Sequence, residues 1–340
     1  MSTATNGQPL YHDPTPTPGE PIPPSPSTMH KVFLGPDGLR PGWGLLIFVA
    51  LFAVIAYIVN VIGHKLYPHD REAAASAISP LTAFAIEGIN FLAVLFITWI
   101  MSKIERRPVA VYGLGDSRKL VHFFAGLGWG IACLTLLVGT LWKTGFLVID
   151  SRVLFGGNIL RYGAIWLFLF LLVGVFEEYI TRGYVQYTLT RGLASIYQRA
   201  FKTRHSTDLA FWTSALIFSA LFGFSHQSNP NESPIGMLSA GLAGMVFCFS
   251  LWRTGSLWWA IGFHTSWDWG QSFLYGVADS GLSIQHRLLA THPTGKPILS
   301  GGATGPEGSI FILAILAVII AIVVATIPRA HYGQAAKAFE

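Results

Sequence analysis

Apolar residues dominate the chain from residue 43 onwards, and they occur in long runs that short polar segments interrupt. A helix needs about 20 mostly apolar residues to cross the hydrocarbon core of a bilayer. The pattern predicts an all-α polytopic membrane protein with about eight transmembrane helices. The predicted helices are 43–62, 81–101, 120–142, 160–183, 209–226, 234–252, 257–277 and 310–327. The helical pattern of the fourth run is compatible with an end as late as residue 193.

The segments between and around these runs divide the chain into five parts. Residues 1–42 are rich in proline and are predicted to form a disordered leader, because such a sequence supports neither helix nor sheet. Residues 43–158 hold the first three helices, and 159–277 form the core that carries the chemistry described below. Residues 278–307 are predicted to be a polar loop. Residues 308–340 hold the last helix and a short tail.

Composition supports the membrane assignment. Of all residues, 52% are hydrophobic and only 11% are charged, whereas a soluble domain carries about 25% charged residues. The net charge of +5 is small and is interpreted as loop charge that sets topology, so no nucleic-acid partner is expected. Lysine and arginine are about twice as frequent on the side that holds both termini. Both termini are therefore predicted to be cytoplasmic, in the plasma membrane of a bacterium.

Cys133 and Cys248, the two cysteines of the chain, lie inside apolar runs. They are interpreted as buried core residues, because a free cysteine packs as a small apolar side chain. The sequence therefore predicts no disulfide framework and no cysteine-based metal site. No nucleotide-binding loop and no HExxH motif was found either. The remaining candidates for chemistry are polar residues inside the membrane.

The fourth run ends with three ionisable residues, Glu177, Glu178 and Arg182. Charged residues at membrane depth are costly, and they are commonly functional. Glu178 and Arg182 are four residues apart and share one helix face, so they are predicted to pair. Glu177 is rotated by about 100° from Glu178 and cannot easily share that arginine. The spacing predicts that Glu178 orients the site and that Glu177 is left for catalysis. The alternative is a structural charge cluster at a helix end.

Two later helices add polar residues at helical spacing. Phe222 and His226 share a face at the end of the fifth helix, and His264 and Asp268 share a face in the seventh. If the fourth and fifth helices form a hairpin, Glu177 and His226 reach a similar depth. Asp268 is predicted to fix the position of His264. An active site is therefore expected between helices four, five and seven. The alternatives are a capping or interfacial role for His226, which is the simpler interpretation of that residue alone, and a structural His–Asp pair that links helices.

Taken together, these motifs resemble the CPBP family of membrane proteases, which includes the CAAX prenyl endopeptidases and bacterial relatives linked with bacteriocin processing or self-immunity. The family pattern is EExxxR, FxxxH and HxxxN, and it is matched here at 177–182, 222–226 and 264–268. Asp268 stands where the family usually has asparagine. An amide donates a hydrogen bond, whereas an ionised carboxylate only accepts one. The resemblance covers about residues 160–276.

The resemblance implies an intramembrane endopeptidase that acts on a membrane-associated protein or peptide. By analogy, Glu177 activates a water molecule with the help of His226, while His264 and Asp268 stabilise the tetrahedral oxyanion. Glu177, His226 and His264 are also sufficient ligands for a catalytic zinc ion, but members of the family have been viewed as metal-independent glutamate proteases as well. The sequence leaves this choice open, and it does not identify the substrate.

Two other classes of function are alternatives to a protease. A non-catalytic scaffold or peptide-toxin immunity protein would not need the site residues, and a proton-coupled transporter could use intramembrane carboxylates and histidines as a relay. The transporter is disfavoured because no inverted repeat is visible. Glu87 and Asn90 lie in the second helix, and the sequence assigns them no catalytic role. They are expected either to line the cavity or to assist helix association.

Overall fold

The computed structural model describes residues 28–35, 38–66 and 77–328. Most of the predicted disordered leader lies outside these residues. The described part of it forms a short helix, α1 (Thr28–Phe33), and a small antiparallel ladder between β1 (Leu34–Gly35) and β2 (Gly38–Leu39).

Nearly all of the remaining regular structure is helical, as the hydrophobic pattern predicts. The helices are α2 (Pro41–Leu66), α3 (Pro80–Glu105), α4 (Lys119–Lys143), α5 (Gly157–Glu178), α6 (Gln186–Phe201), α7 (Ser206–Ser225), α8 (Pro234–Thr254), α9 (Trp258–Asp268), α10 (Pro297–Ser300) and α11 (Phe311–Thr326). Within the described residues, six helical stretches are long and apolar enough to cross a membrane, while α11 is a shorter apolar helix. Each of the eight predicted helices has a helical counterpart. The all-α polytopic membrane fold is confirmed.

The fourth predicted helix extends further than the sequence pattern indicated. A π-helical segment, Tyr179–Val185, joins α5 to α6, and the helix ends only at Phe201. Lys202 then adopts a left-handed backbone conformation and terminates the helix, and α7 begins at Ser206. The two arms form a helical hairpin, since α6 packs along α7. Glu177 and His226 lie at nearly equal sequence distances from this turn. The hairpin therefore brings the carboxyl end of α7 back to the level of the carboxyl end of α5.

Glycines allow α4 and α9 to approach each other closely. A Cβ atom added at Gly126 of α4 would lie 2.1 Å from the Trp259 carbonyl oxygen, and one added at Gly262 of α9 would lie 2.1 Å from that of Phe123. No side chain can occupy those positions without moving a helix. Small residues that permit such close contacts are a common basis of helix association in membranes. The crossing fixes α9, which carries two of the predicted site residues.

Replacing Gly126 by alanine is therefore expected to destabilise the protein by about 1–3 kcal/mol, the usual cost of overpacking. Gly139→Ala on the same helix is a matched control, because no atom lies within 4 Å of an added Cβ at Gly139. Thermal unfolding of the purified variants in detergent measures the difference. Equal midpoints for the two variants would contradict the proposed role of the crossing.

The predicted polar loop at 278–307 is a structured cap over one end of the helices. Its strand β4 (Leu289–Pro293) pairs antiparallel with β3 (Leu147–Arg152), which follows α4. A second extended part of the loop pairs with the segment that precedes α3, because Ile78 bridges to Ile284 in parallel. The π-helical segment Trp269–Leu274 leads from α9 into this cap. Buried carboxylates from the loop thereby reach the end of α9.

Candidate active site

One cavity contains all four residues that the sequence predicted to be catalytic. The cavity has a volume of about 240 Å³ and is lined by Glu177, His226, His264 and Asp268. Glu177 lies at the carboxyl end of α5, His226 directly follows α7, and the other two belong to α9. Apolar side chains of α3, α5, α8, α9 and α11 form most of the remaining wall. The cavity is thus a polar site inside a mainly apolar enclosure.

A buried ion pair lies beside this cavity. Arg182 Nη1 donates to Glu178 Oε1 at 2.6 Å, as the spacing predicted, and both side chains are almost fully inaccessible. The guanidinium carbon of Arg182 lies 4.5 Å from the ring centroid of Phe222, so α7 covers the pair with an aromatic face. The π-helical segment supplies the arginine, while α5 supplies the glutamate.

Glu178 also holds His264. The Nδ1 atom of His264 lies 2.9 Å from Glu178 Oε1, and it must be the donor because an ionised carboxylate only accepts. The Nε2 atom is 3.5 Å from Asp268 Oδ2 and 3.8 Å from Glu177 Oε2. The sequence predicted that Asp268 would fix the histidine; the closer contact is instead the one with Glu178. One glutamate oxygen therefore connects the arginine to the imidazole.

His226 is oriented by the helix that it terminates. Its Nδ1 atom lies 2.8 Å from the Phe222 carbonyl oxygen. A carbonyl oxygen accepts only, so Nδ1 carries a proton, and in a neutral ring Nε2 is then the basic nitrogen. The ring also packs edge-to-face on Phe222, with centroids 4.8 Å apart. Phe222 thus contacts both His226 and Arg182.

The structure adds residues to the site that the sequence left unassigned. Glu87 of α3 lines the cavity, as do Asp279 and Glu307 from the cap. Phe247 of α8 also lines it, with its ring centroid 5.7 Å from that of His264. A carboxylate in an apolar run was a usable signal for Glu87. The two cap residues lie in an irregular polar segment, where no periodicity indicates which side chains turn inward.

The two cap carboxylates are electrostatic neighbours; Glu307 is buried and Asp279 is half-buried. Ser272 Oγ donates to Asp279 Oδ2 at 3.2 Å, while Glu307 accepts from Gln271 Nε2 and from the backbone N–H of Ser280. Burial raises the pKa of the Asp279 carboxyl from its ordinary value of 3.8 to about 6, although the neighbouring His264 opposes the shift. Burial and the nearby Asp279 raise the pKa of Glu307 well above its ordinary value.

These shifts predict how stability depends on pH. Because its folded-state pKa is raised, Asp279 contributes stability below pH 3.8, and this contribution is lost as the pH rises through about 6. Asp279→Asn is therefore expected to reduce the loss of thermal stability between about pH 4 and about pH 7. The thermal unfolding midpoints of the wild type and the variant in detergent, measured across this pH range, test the prediction. Asp150→Asn is the control, since that carboxylate is exposed on β3. An unaltered pH dependence in the Asp279 variant would contradict the assignment.

The predicted zinc ligands do not form a recognisable metal centre. Across the described residues, no group of three or more His, Cys, Asp or Glu side chains is arranged to hold a metal ion. The Nδ1 atoms of His226 and His264 are both engaged, with a carbonyl oxygen and with Glu178. Zinc dependence stays a prediction, and elemental analysis of the purified protein together with activity in chelator would test it.

Comparisons with known proteins agree with the motifs. The family model described as "Type II CAAX prenyl endopeptidase Rce1-like" matches residues 160–270, which run from α5 to the start of the π-helical segment after α9. All three sequence motifs lie within this range. Neither the curated proteins nor the solved structures gave a match. Residues 160–270 are therefore similar to the Rce1-like CAAX prenyl endopeptidases, and the predicted resemblance to the CPBP family is confirmed for this part of the chain.

Proposed function

We propose that this protein is an intramembrane endopeptidase that hydrolyses a peptide bond in a membrane-associated protein or peptide. The observation that carries the proposal is that Glu177, His226, His264 and Asp268 line one cavity. A general base, a second basic group and a hydrogen-bond donor for an oxyanion are what amide hydrolysis requires. The family match of residues 160–270 supports the same reaction class.

In the proposed mechanism Glu177 is the general base. Its side chain is the most exposed among the carboxylates that contact His264, at 29%, so a water molecule can reach it. The water oxygen adds to the substrate carbonyl carbon while its proton passes to Glu177. The C–N bond then breaks as that proton is delivered to the leaving nitrogen, giving an amine and a carboxylic acid that keeps the second proton of the water. His226 assists the activation of the water through its Nε2 atom, because its Nδ1 atom is already hydrogen-bonded to the Phe222 carbonyl oxygen.

His264 is the proposed oxyanion stabiliser. Its Nδ1 atom donates to Glu178, so a second proton on Nε2 is needed for donation into the cavity. Such a ring is an imidazolium, and its charge lies beside Glu177, Glu178 and Asp268. Asp268 then acts as an acceptor that orients Nε2–H, a different role from the donor that the family asparagine can supply. Stabilising the developing charge is commonly the largest catalytic contribution.

We further propose that the protein lies in the plasma membrane of a bacterium with both termini in the cytoplasm. The excess of lysine and arginine in the loops on the side of the termini supports this orientation. The six long apolar helices of the described residues support insertion in a bilayer. Reporter fusions to the α4–α5 loop and to the α6–α7 turn would test the orientation, since the two loops are expected on opposite sides.

The experiment that tests the function is a comparison of membrane-peptide termini in wild-type cells and in cells carrying Glu177→Ala. Mass spectrometry is expected to show uncleaved precursors of one or a few membrane-associated proteins in the variant. The same phenotype in both strains, with no altered termini, would favour the scaffold or immunity alternative. Identified termini would also show whether the substrate is prenylated.

A further inference from the structure

The cavity is unusually acidic for a space enclosed by apolar helices. Among the described residues, five carboxylates and no lysine or arginine line it. The five are Glu87, Glu177, Asp268, Asp279 and Glu307. The two histidines of the site are the only lining side chains, among the described residues, that can carry a positive charge. Walls of low polarity strengthen the field of such charges inside a cleft.

Glu87 differs from the other four carboxylates in its partners. Glu177 and Asp268 face His264. Asp279 accepts a hydrogen bond from Ser272, and Glu307 accepts one from the backbone N–H of Ser280. The hydrogen bond that the structure gives Glu87 is one from Asn90 Nδ2 on the same helix, at the limiting distance of 3.5 Å. Glu87 is half-buried and lies within the membrane-spanning helix α3. A carboxylate in such a place is costly unless something compensates it.

The carboxylate of Glu177 is an electrostatic neighbour of Glu87. Two like charges repel strongly where the surroundings are of low polarity. A cation that enters the cavity near Glu87 would relieve this repulsion. Among the described residues no lysine or arginine lines the cavity, Arg182 is paired with Glu178, and the contacts of His264 are with Glu177, Glu178 and Asp268.

We propose that Glu87 is a specificity residue that binds a lysine or arginine side chain of the substrate close to the scissile bond. The inference rests on the proposed function, since it concerns the substrate of the same site. Apolar side chains on the same cavity suit this ligand: Ala83 lies one turn before Glu87, and Trp166 and Phe170 line the cavity from the adjoining α5. Long basic side chains pack their aliphatic stems on such surfaces while the charged end meets a carboxylate.

The test uses the full-length protein in nanodiscs of zwitterionic lipid. The probes are two short palmitoylated, fluorescently labelled alanine–leucine peptides, identical except for a central lysine in one and glutamine in the other. Wild-type protein is expected to bind the lysine peptide about tenfold more tightly or better, as a hydrogen bond to a charged partner implies. Raising the salt concentration should weaken this preference. Glu87→Gln is expected to bring the ratio of the two dissociation constants close to one.

Asp150→Asn is the matched control, because it removes the same charge from an exposed position outside the cavity. The ratio of the two dissociation constants in this variant should equal that of the wild type. Equal binding of both peptides by wild type, or a preference that survives Glu87→Gln, would overturn the proposal. Cleavage of the bound peptides is followed separately, with Glu177→Gln as the inactive reference. A lysine preference without Glu177-dependent cleavage would overturn the proposed function and not the binding role of Glu87.

Discussion

Replacing Glu177 by glutamine is expected to lower the turnover number of the purified protein by a factor of about 10²–10⁴, the usual contribution of a positioned general base. Glutamine preserves the shape of the side chain but cannot take a proton from water. The fold should persist, because the Glu177 side chain is partly exposed in the cavity. Thermal unfolding should therefore give the wild-type midpoint while the release of peptide products falls.

Glu177→Asp is the matched comparison for this experiment. It retains a carboxylate but withdraws it from the cavity by one methylene, so activity is expected between those of wild type and Glu177→Gln. Near-normal cleavage by the purified Glu177→Gln variant would contradict the assignment of the base. Equal losses of activity in the aspartate and glutamine variants would show that the position of the side-chain end group at residue 177 matters more than its ability to accept a proton.

Replacing Arg182 by methionine is expected to lower the free energy of unfolding by about 3–5 kcal/mol, the largest loss of stability among the substitutions proposed for this protein. The substitution leaves the completely buried carboxylate of Glu178 with His264 as its remaining charged partner among the described contacts. Removing one member of a buried ion pair costs more than the pair itself contributes, because the other charge stays out of water and loses the partner that compensated it. Denaturation in detergent and the yield of folded protein measure the effect.

The double variant Glu178→Leu/Arg182→Met separates stability from activity. With both charges removed, a large part of the lost stability should return, since replacing a buried pair with apolar residues is often neutral. Activity should not return, because His264 Nδ1 loses the acceptor that orients it. A double variant no more stable than Arg182→Met would contradict the argument from uncompensated charge. An active double variant would show that Glu178 does not orient the histidine.

The helical architecture was predictable from the sequence because a bilayer imposes a simple rule on composition. Runs such as 234–252 must be helical and apolar to satisfy their backbone hydrogen bonds without water. The pairing of Glu178 with Arg182 was predictable for a related reason, since residues four apart in a helix share a face. The end of the fourth helix was not predicted correctly. Its continuation through Tyr179–Val185 to Phe201 depends on packing against α7.

The sequence by itself determined the class of fold, the helices that carry the polar motifs and the candidate residues, because each follows from local periodicity. The tertiary structure alone decided which carboxylate holds His264, and it brought Glu87, Asp279 and Glu307 to the same cavity. Those contacts join residues that are far apart in the chain. They depend on the close crossing of α4 with α9 and on the folding of the 278–307 cap, and neither leaves a periodic signal in the sequence.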